Sequence, residues 1–323
     1  MAHQRIVLAT VAAAGQQCTA GPTSNPTAAP VVHTMAADTA AATQYITTND
    51  GVRLAYEQAG TAGPVVVLIH GWSGSRKYFC HNMPALAEHC QVYAYDQRFH
   101  GDSDSPSHGF HVARLAADLR DFLQALLADV TVVGSSMGCA VIWSYVELFG
   151  LQRLKQAVFV DQAPLQNRAP DWQLGSKGCY DAATLAGLQK TLAENLEAVA
   201  DGNAAGCLSL PLPEATMQLL KQETMRCKPR ALGQLMADHT QLDWRPLLPL
   251  LALPCLNCVG GCSGVFPVEG CLRVGELAPD CCSVVFARAN HWLYLEQPEE
   301  FDALLLDFVV KGNAGRPKRA EVA

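Results

Sequence analysis

Two spacings of apolar residues take turns along this chain. Unbroken apolar runs occur in "PVVVLIHG" (64–71), "QVYAYDQ" (91–97), "VTVVG" (130–134), "LKQAVFVD" (154–161), "LPCLNCVGG" (253–261) and "CSVVFA" (282–287). Runs of this kind are strands covered on both faces. Between them the spacing changes to every third or fourth residue. Val112, Leu115, Leu119, Phe122 and Leu126 share one helical face within 111–127, and 137–149 is a second helix. Phe301, Leu304, Leu305 and Phe308 mark a last one. Ahead of these, "QYITTNDGVRLAYEQAG" (44–60) is a hairpin turning at Asn49-Asp50-Gly51. Strand–helix alternation from Tyr45 onward predicts an α/β fold, with a mostly parallel central sheet and helices on both faces.

One region breaks the rhythm. From Ala163 to Trp244 no strong strand is present. Instead Asp181 caps a helix through Leu185, Leu188, Leu192 and Leu196, and further helices are predicted over 213–225 and 230–240. Strands resume afterwards, so the segment reads as a helical cap inserted into the core. The division is then a leader (1–44), a core in two parts (45–162 and 245–311), the cap (163–244) and a loose tail (312–323).

The 323 residues, half of them apolar, suffice for one large domain with an insertion. The net charge of −7 is spread through the chain, which gives no nucleic-acid footprint. No apolar run is long enough to span a bilayer. Thirteen cysteines, odd in number and mostly inside apolar segments, favour buried thiols and a reducing compartment, cytoplasmic or organellar. "CLNC" (255–258) has the spacing of a zinc or redox motif, but it sits in a strand-like run rather than a knuckle. The leader, rich in Ala and Thr, reads as disordered or as a targeting segment.

Candidate chemistry starts at "GSSMG" (134–138), which fits G-x-S-x-G with Ser136 at its centre. The strand before it and the helix after it are the context of a nucleophile elbow. Ser135 is a structural neighbour, and the Met137 N–H at the helix start is placed to meet an oxyanion. A serine hydroxyl needs a base. His70, His100 and His239 read as organising, turn and packing residues, whereas His291 follows the last strand on the edge where the elbow lies.

With these residues in view, the chain over about 45–311 resembles the α/β-hydrolase superfamily. "HGW" (70–72) matches its oxyanion loop, so the resemblance implies the Trp72 N–H as second oxyanion donor. "DQRFHGDSD" (96–104) and "ANHWLYLEQPEEF" (289–301) resemble its glycine-containing loop and its closing histidine loop. The usual acid slot, after Gly260-Gly261-Cys262, holds Ser263 and no carboxylate; Glu269 lies further on, at a helix start. The family's alternative slot, at the end of the strand after the elbow helix, holds Asp161, 25 residues after Ser136. Asp161 is therefore the expected acid, and Asp96 is expected to act in a turn.

The resemblance implies acyl transfer to water with no metal or organic cofactor. A serine at the elbow weighs against dehalogenase and epoxide hydrolase chemistry. Trp172, Tyr180, Trp244 and Trp292 are candidates for lining an apolar pocket for a small ester, or for plain packing. The expected activity is hydrolysis of a small-molecule carboxylic ester. Haloperoxidase or perhydrolase chemistry, and a ligand receptor with little turnover, stay open, as does the oligomeric state.

Overall fold

The computed structural model of the protein describes residues 6–9, 43–209 and 212–317. First come β1 (Ile6–Ala9), β2 (Gln44–Thr47), β3 (Arg53–Ala59) and β4 (Val65–Ile69). Next are α1 (Asn82–Ala87), β5 (Gln91–Tyr95), α2 (Val112–Leu126) and β6 (Val130–Ser135). They are followed by α3 (Met137–Phe149) and β7 (Leu154–Val160). Four helices then run with no strand among them: α4 (Ala182–Glu194), α5 (Leu196–Cys207), α6 (Glu214–Arg226) and α7 (Pro229–His239). β8 (Cys255–Gly260), α8 (Val268–Leu277), β9 (Cys281–Phe286), α9 (Leu293–Glu296) and α10 (Pro298–Lys311) complete the order.

The strands form one sheet in the order β1-β9-β8-β7-β6-β4-β5-β3-β2. Pairing is parallel from β1 across to β5, and β3 pairs antiparallel with both β5 and β2. After β4 the chain adds β5 on one side and β6 on the other. The ends of β4 and β6 therefore flank a point where strand order reverses, the usual place for a site on an open α/β sheet.

Alternation along the strands feeds two apolar layers. Val67 and Ile69 of β4 pack with Leu119, Phe122 and Trp143 of α2 and α3. Val66 and Leu68 pack on the other face, in the layer that holds Phe79, Phe301 and Phe308. Each such side chain, fully buried, contributes roughly 1.5–3 kcal/mol relative to exposure. α2 buries the stripe read from the sequence and ends at Leu127, whose φ of 54° is left-handed.

The helical insertion departs in detail from its prediction. Asp181 caps α4 by accepting the Thr184 N–H at 2.8 Å. The helix stops at Glu194 rather than running through Leu196, because Asn195 breaks it and caps α5. α5 itself was not anticipated: Gly202 and Gly206 are weak helix formers, and packing against α6 supports it.

Residues 72–78 hold the insertion to the core. The Trp72 indole donates to Leu232 O (2.9 Å), Asn203 Nδ2 to Ser73 Oγ (2.8 Å), and Thr224 Oγ1 to Ser73 O (3.2 Å). The Tyr78 hydroxyl donates to Leu220 O at 3.2 Å. Below them Arg76 is buried in ion pairs with Asp96, Glu57 and Asp102. Asp96 also accepts the backbone N–H groups of Arg76 and Asp102, a turn-holding role.

One expectation changes at the ends. The leader over 1–44 lies largely outside the described residues; within it, 6–9 form β1, paired in parallel with β9. The tail is not loose from Gly312: residues 312–315 make a 3-10 turn and Arg316 pairs with Asp280 at 2.6 Å, which ties it to the start of β9. Residues 318–323 lie outside the description. Among the described residues no helix is long and apolar enough to cross a membrane. The described cysteines are free thiols, and Cys255 and Cys258 are buried within β8.

Candidate active site

Ser136 stands alone between β6 and α3, with φ 54° and ψ −121°. A side chain held there costs roughly 1–3 kcal/mol of backbone strain. Its N–H donates to Val160 O at 2.9 Å, and its carbonyl accepts the Cys139 N–H at 2.8 Å, which fixes the turn. The neighbouring glycines are required by contact. A Cβ at Gly134 would lie 2.5 Å from the Gly138 carbonyl carbon, and one at Gly138 only 2.4 Å from Ile69 O. Ser135 is buried beside the elbow, whereas Ser136 reaches a cavity.

Asp161 follows β7, also at positive φ (47°), and is fully buried. Its Oδ1 accepts the Gly260 N–H at 2.9 Å. Its Oδ2 accepts the Ser263 hydroxyl at 2.7 Å and faces His291 Nδ1 at 2.6 Å. Ser263, in the slot that lacks a carboxylate, is thus a hydrogen-bond donor to the carboxylate that lies elsewhere. Glu269 is exposed in the first turn of α8. His291 is itself buried; its backbone N–H donates to Asn290 Oδ1 at 2.7 Å, and the Phe266 ring lies 6.0 Å away.

With Nδ1 engaged by Asp161, Nε2 is the nitrogen left for the cavity that His291 lines together with Ser136. The Ser136 hydroxyl is turned to Gln162 Oε1 at 3.4 Å rather than to His291. The structure therefore joins Asp161 to His291 and puts Ser136 and His291 on one cavity, with the last link unmade. Such links are often long before a substrate binds.

Two buried histidines brace residues 71–73. His70 Nδ1 donates to Gly71 O (2.8 Å) while Nε2 accepts the Gln97 N–H (3.0 Å). His100 Nε2 accepts the Ser73 N–H at 3.3 Å. Burial drives the His70 pKa well below its ordinary value and that of His100 down to about 4, so both are neutral and suited to accepting these N–H groups. The N–H groups of Trp72 and Met137 have no hydrogen-bond partner among the described residues. Free donors at a strand end and a helix start suit an incoming anion.

The cavity has a volume of about 430 Å³. Ser136, His291 and Trp72 lie on its core side, Trp292 lines it, and α4, α5 and α7 contribute Leu188, Cys207, Met236 and His239. Three of the four aromatic candidates are not part of it. Trp172 packs on Leu165, Val259 and Phe266 and donates to Leu165 O. Trp244 lies against Trp143 in the larger core layer, and Tyr180 stacks under Arg168. Trp172 and Trp244 spend their apolar surface in joining the insertion to the core. Residues not picked out as lining in the sequence take their place: Met236 and His239 share a face of α7 by their spacing of three. Gln162, which accepts the Ser136 hydroxyl, was also missed.

A family model described as alpha/beta hydrolase fold matches residues 64–298. A pimeloyl-[acyl-carrier protein] methyl ester esterase of Photobacterium profundum is 26% identical over 259 residues, which cover 76% of this chain and 95% of that enzyme. Among solved structures, an esterase from Exiguobacterium antarcticum has a TM-score of 0.78 at 22% identity, covering 82% of this chain and 98% of its own. A bromoperoxidase from Bacillus anthracis has a TM-score of 0.77 at 25% identity, covering 83% and 99%. The matched span runs from β4 through the elbow, the insertion and the histidine loop to the start of α10, and the chain belongs to the α/β-hydrolase fold family.

Proposed function

We propose that the protein is a serine hydrolase that cleaves a small-molecule carboxylic ester through an acyl-enzyme. The observation that carries this reading is the buried Asp161–His291 contact, opening onto the cavity that also exposes Ser136. In the reaction the Ser136 hydroxyl leaves Gln162 and turns to His291 Nε2. His291 takes its proton as the oxygen attacks the ester carbonyl, and Asp161 stabilises the imidazolium. The N–H groups of Trp72 and Met137 receive the oxyanion. Collapse breaks the C–O bond, and His291 returns the proton to the departing alcohol. Water, activated by the same imidazole, then releases the acid and restores Ser136.

The methyl ester esterase of Photobacterium profundum supports an ester substrate. The bromoperoxidase of Bacillus anthracis favours a second reading, in which hydrogen peroxide replaces water in the last step and a peracid leaves. Residues 163–244 act as the cap that closes the cavity, and the buried free thiols support a reducing compartment, cytoplasmic or organellar. The test is hydrolysis of short-chain p-nitrophenyl esters together with labelling by a fluorophosphonate. Wild-type protein turns over repeatedly and is labelled, and Ser136→Ala does neither. A Ser136→Ala variant as active as wild type would sink the proposal.

A further inference from the structure

A second imidazole faces the cavity from the insertion. His239 ends α7, is 3% exposed, and lines the wall with Met236 and Gln166. Its Nδ1 is buried with no partner, and Nε2 makes no hydrogen bond among the described residues either. Several polar groups on the wall are engaged within the protein, Asn203 Nδ2 by Ser73 Oγ among them. Ser176 Oγ donates to Val265 O and accepts two backbone N–H groups, Thr184 Oγ1 bonds Asp181, and Gln166 Nε2 reaches Cys179 O. Asp238 is no partner for the ring: its carboxylate is taken by His111 and the Val112 N–H. A buried polar group without a partner is costly and uncommon, and a Phe or Leu would serve packing better.

Burial lowers the His239 pKa to about 4, so near neutrality the ring is uncharged, with one donor and one acceptor nitrogen. Among the described residues lining the cavity there is no Asp, Glu, Lys or Arg. A carboxylate or ammonium group on a bound molecule would find no counter-charge there and would lose its hydration. Trp292, Leu188 and Met236 supply apolar contact instead.

We propose that His239 is a specificity-determining residue: it binds an uncharged oxygen of the substrate, so the enzyme selects neutral esters bearing a carbonyl, ether or hydroxyl group over aliphatic and carboxylate-bearing ones. This rests on the serine hydrolase reading above. Of the two ring nitrogens, Nδ1 is closed off by its surroundings, so the oxygen would meet Nε2.

The test uses matched p-nitrophenyl esters of pentanoate, 4-oxopentanoate and hemisuccinate, with a parallel series varied in the alcohol (butyrates of pentanol and 2-ethoxyethanol). In wild type the oxygen-bearing neutral member of at least one series leads its aliphatic match by about tenfold or more in kcat/KM, chiefly through KM, and the hemisuccinate is poorest. His239→Leu brings the ratio to within about twofold, and His239→Gln, which keeps an uncharged donor and acceptor, retains part of it. Fluorophosphonate labelling at Ser136 reports that each variant is folded. No preference in either series, or a ratio that survives in a labelled His239→Leu protein, overturns the proposal. Wild-type protein that neither turns over nor labels overturns the hydrolase reading, and this inference with it.

Discussion

Replacing Asp161 by asparagine alters one atom facing His291 and is expected to lower kcat about a thousandfold. In wild type Oδ2 accepts both His291 Nδ1 and the Ser263 hydroxyl, while Oδ1 holds the Gly260 N–H. An asparagine keeps its carbonyl toward Gly260 and presents its NH₂ to the ring. A donor facing Nδ1 selects the tautomer protonated at Nε2, which cannot take the serine proton. The imidazolium formed on attack also loses its counter-charge. For charge centres about 4 Å apart at an effective dielectric of about 20 this is worth about 4 kcal/mol, or about three decades of rate. Ser263 can rotate to accept from the new NH₂, so folding is expected to survive. The assay is saturating ester hydrolysis, with circular dichroism and thermal melting as the fold control. Exposed Glu269, changed to Gln, is expected to stay within about twofold of wild type. A loss below tenfold for Asp161→Asn, or an equal loss for Glu269→Gln, refutes the assignment of Asp161 as the acid.

Two further outcomes concern stability. Gly138→Ala forces a Cβ to 2.4 Å from Ile69 O, a backbone atom that cannot step aside, and is expected to cost about 1–3 kcal/mol in urea unfolding; an unchanged midpoint would mean that elbow and strand are not in tight contact. Burial raises the Asp302 pKa to about 6, above the 3.8 of the unfolded chain, although Asn82 donates to it. Between those values the folded state binds the extra proton, so this group favours folding at low pH and loses that effect as pH rises through about 6. Asp302→Asn is therefore expected to stabilise at pH 7.5, by up to about 3 kcal/mol, with the gain fading toward pH 4; equal gains at pH 4.5 and 7.5 would refute the cause.

The sheet was legible because strands buried on both faces leave unbroken apolar runs, and β4, β6 and β7 have no other reading. Ser136 was legible for a related reason: the glycines around it answer a steric demand that leaves a mark in the sequence. The pairing of Asp161 with His291 depended on an empty slot at Ser263 and on strand order, both readable. The walls of the cavity were not. A residue facing a cavity and one facing a core have the same helical spacing, so Trp172 and Trp244 looked as suitable as Met236 and His239. Gln162 was hidden because its direction follows from the positive φ of Asp161, which no local pattern announces. α5 was missed because small residues carry little periodic signal.

The four hydrogen bonds between residues 72–78 and α5, α6 and α7 tie the insertion to that stretch as one mechanical unit. Lifting those helices far enough to admit a bulky molecule would stretch the bonds to Trp72 and Ser73. On the mechanism proposed above, the same stretch supplies the Trp72 N–H to the oxyanion, so a displacement of these helices and a loss of that donor would come together.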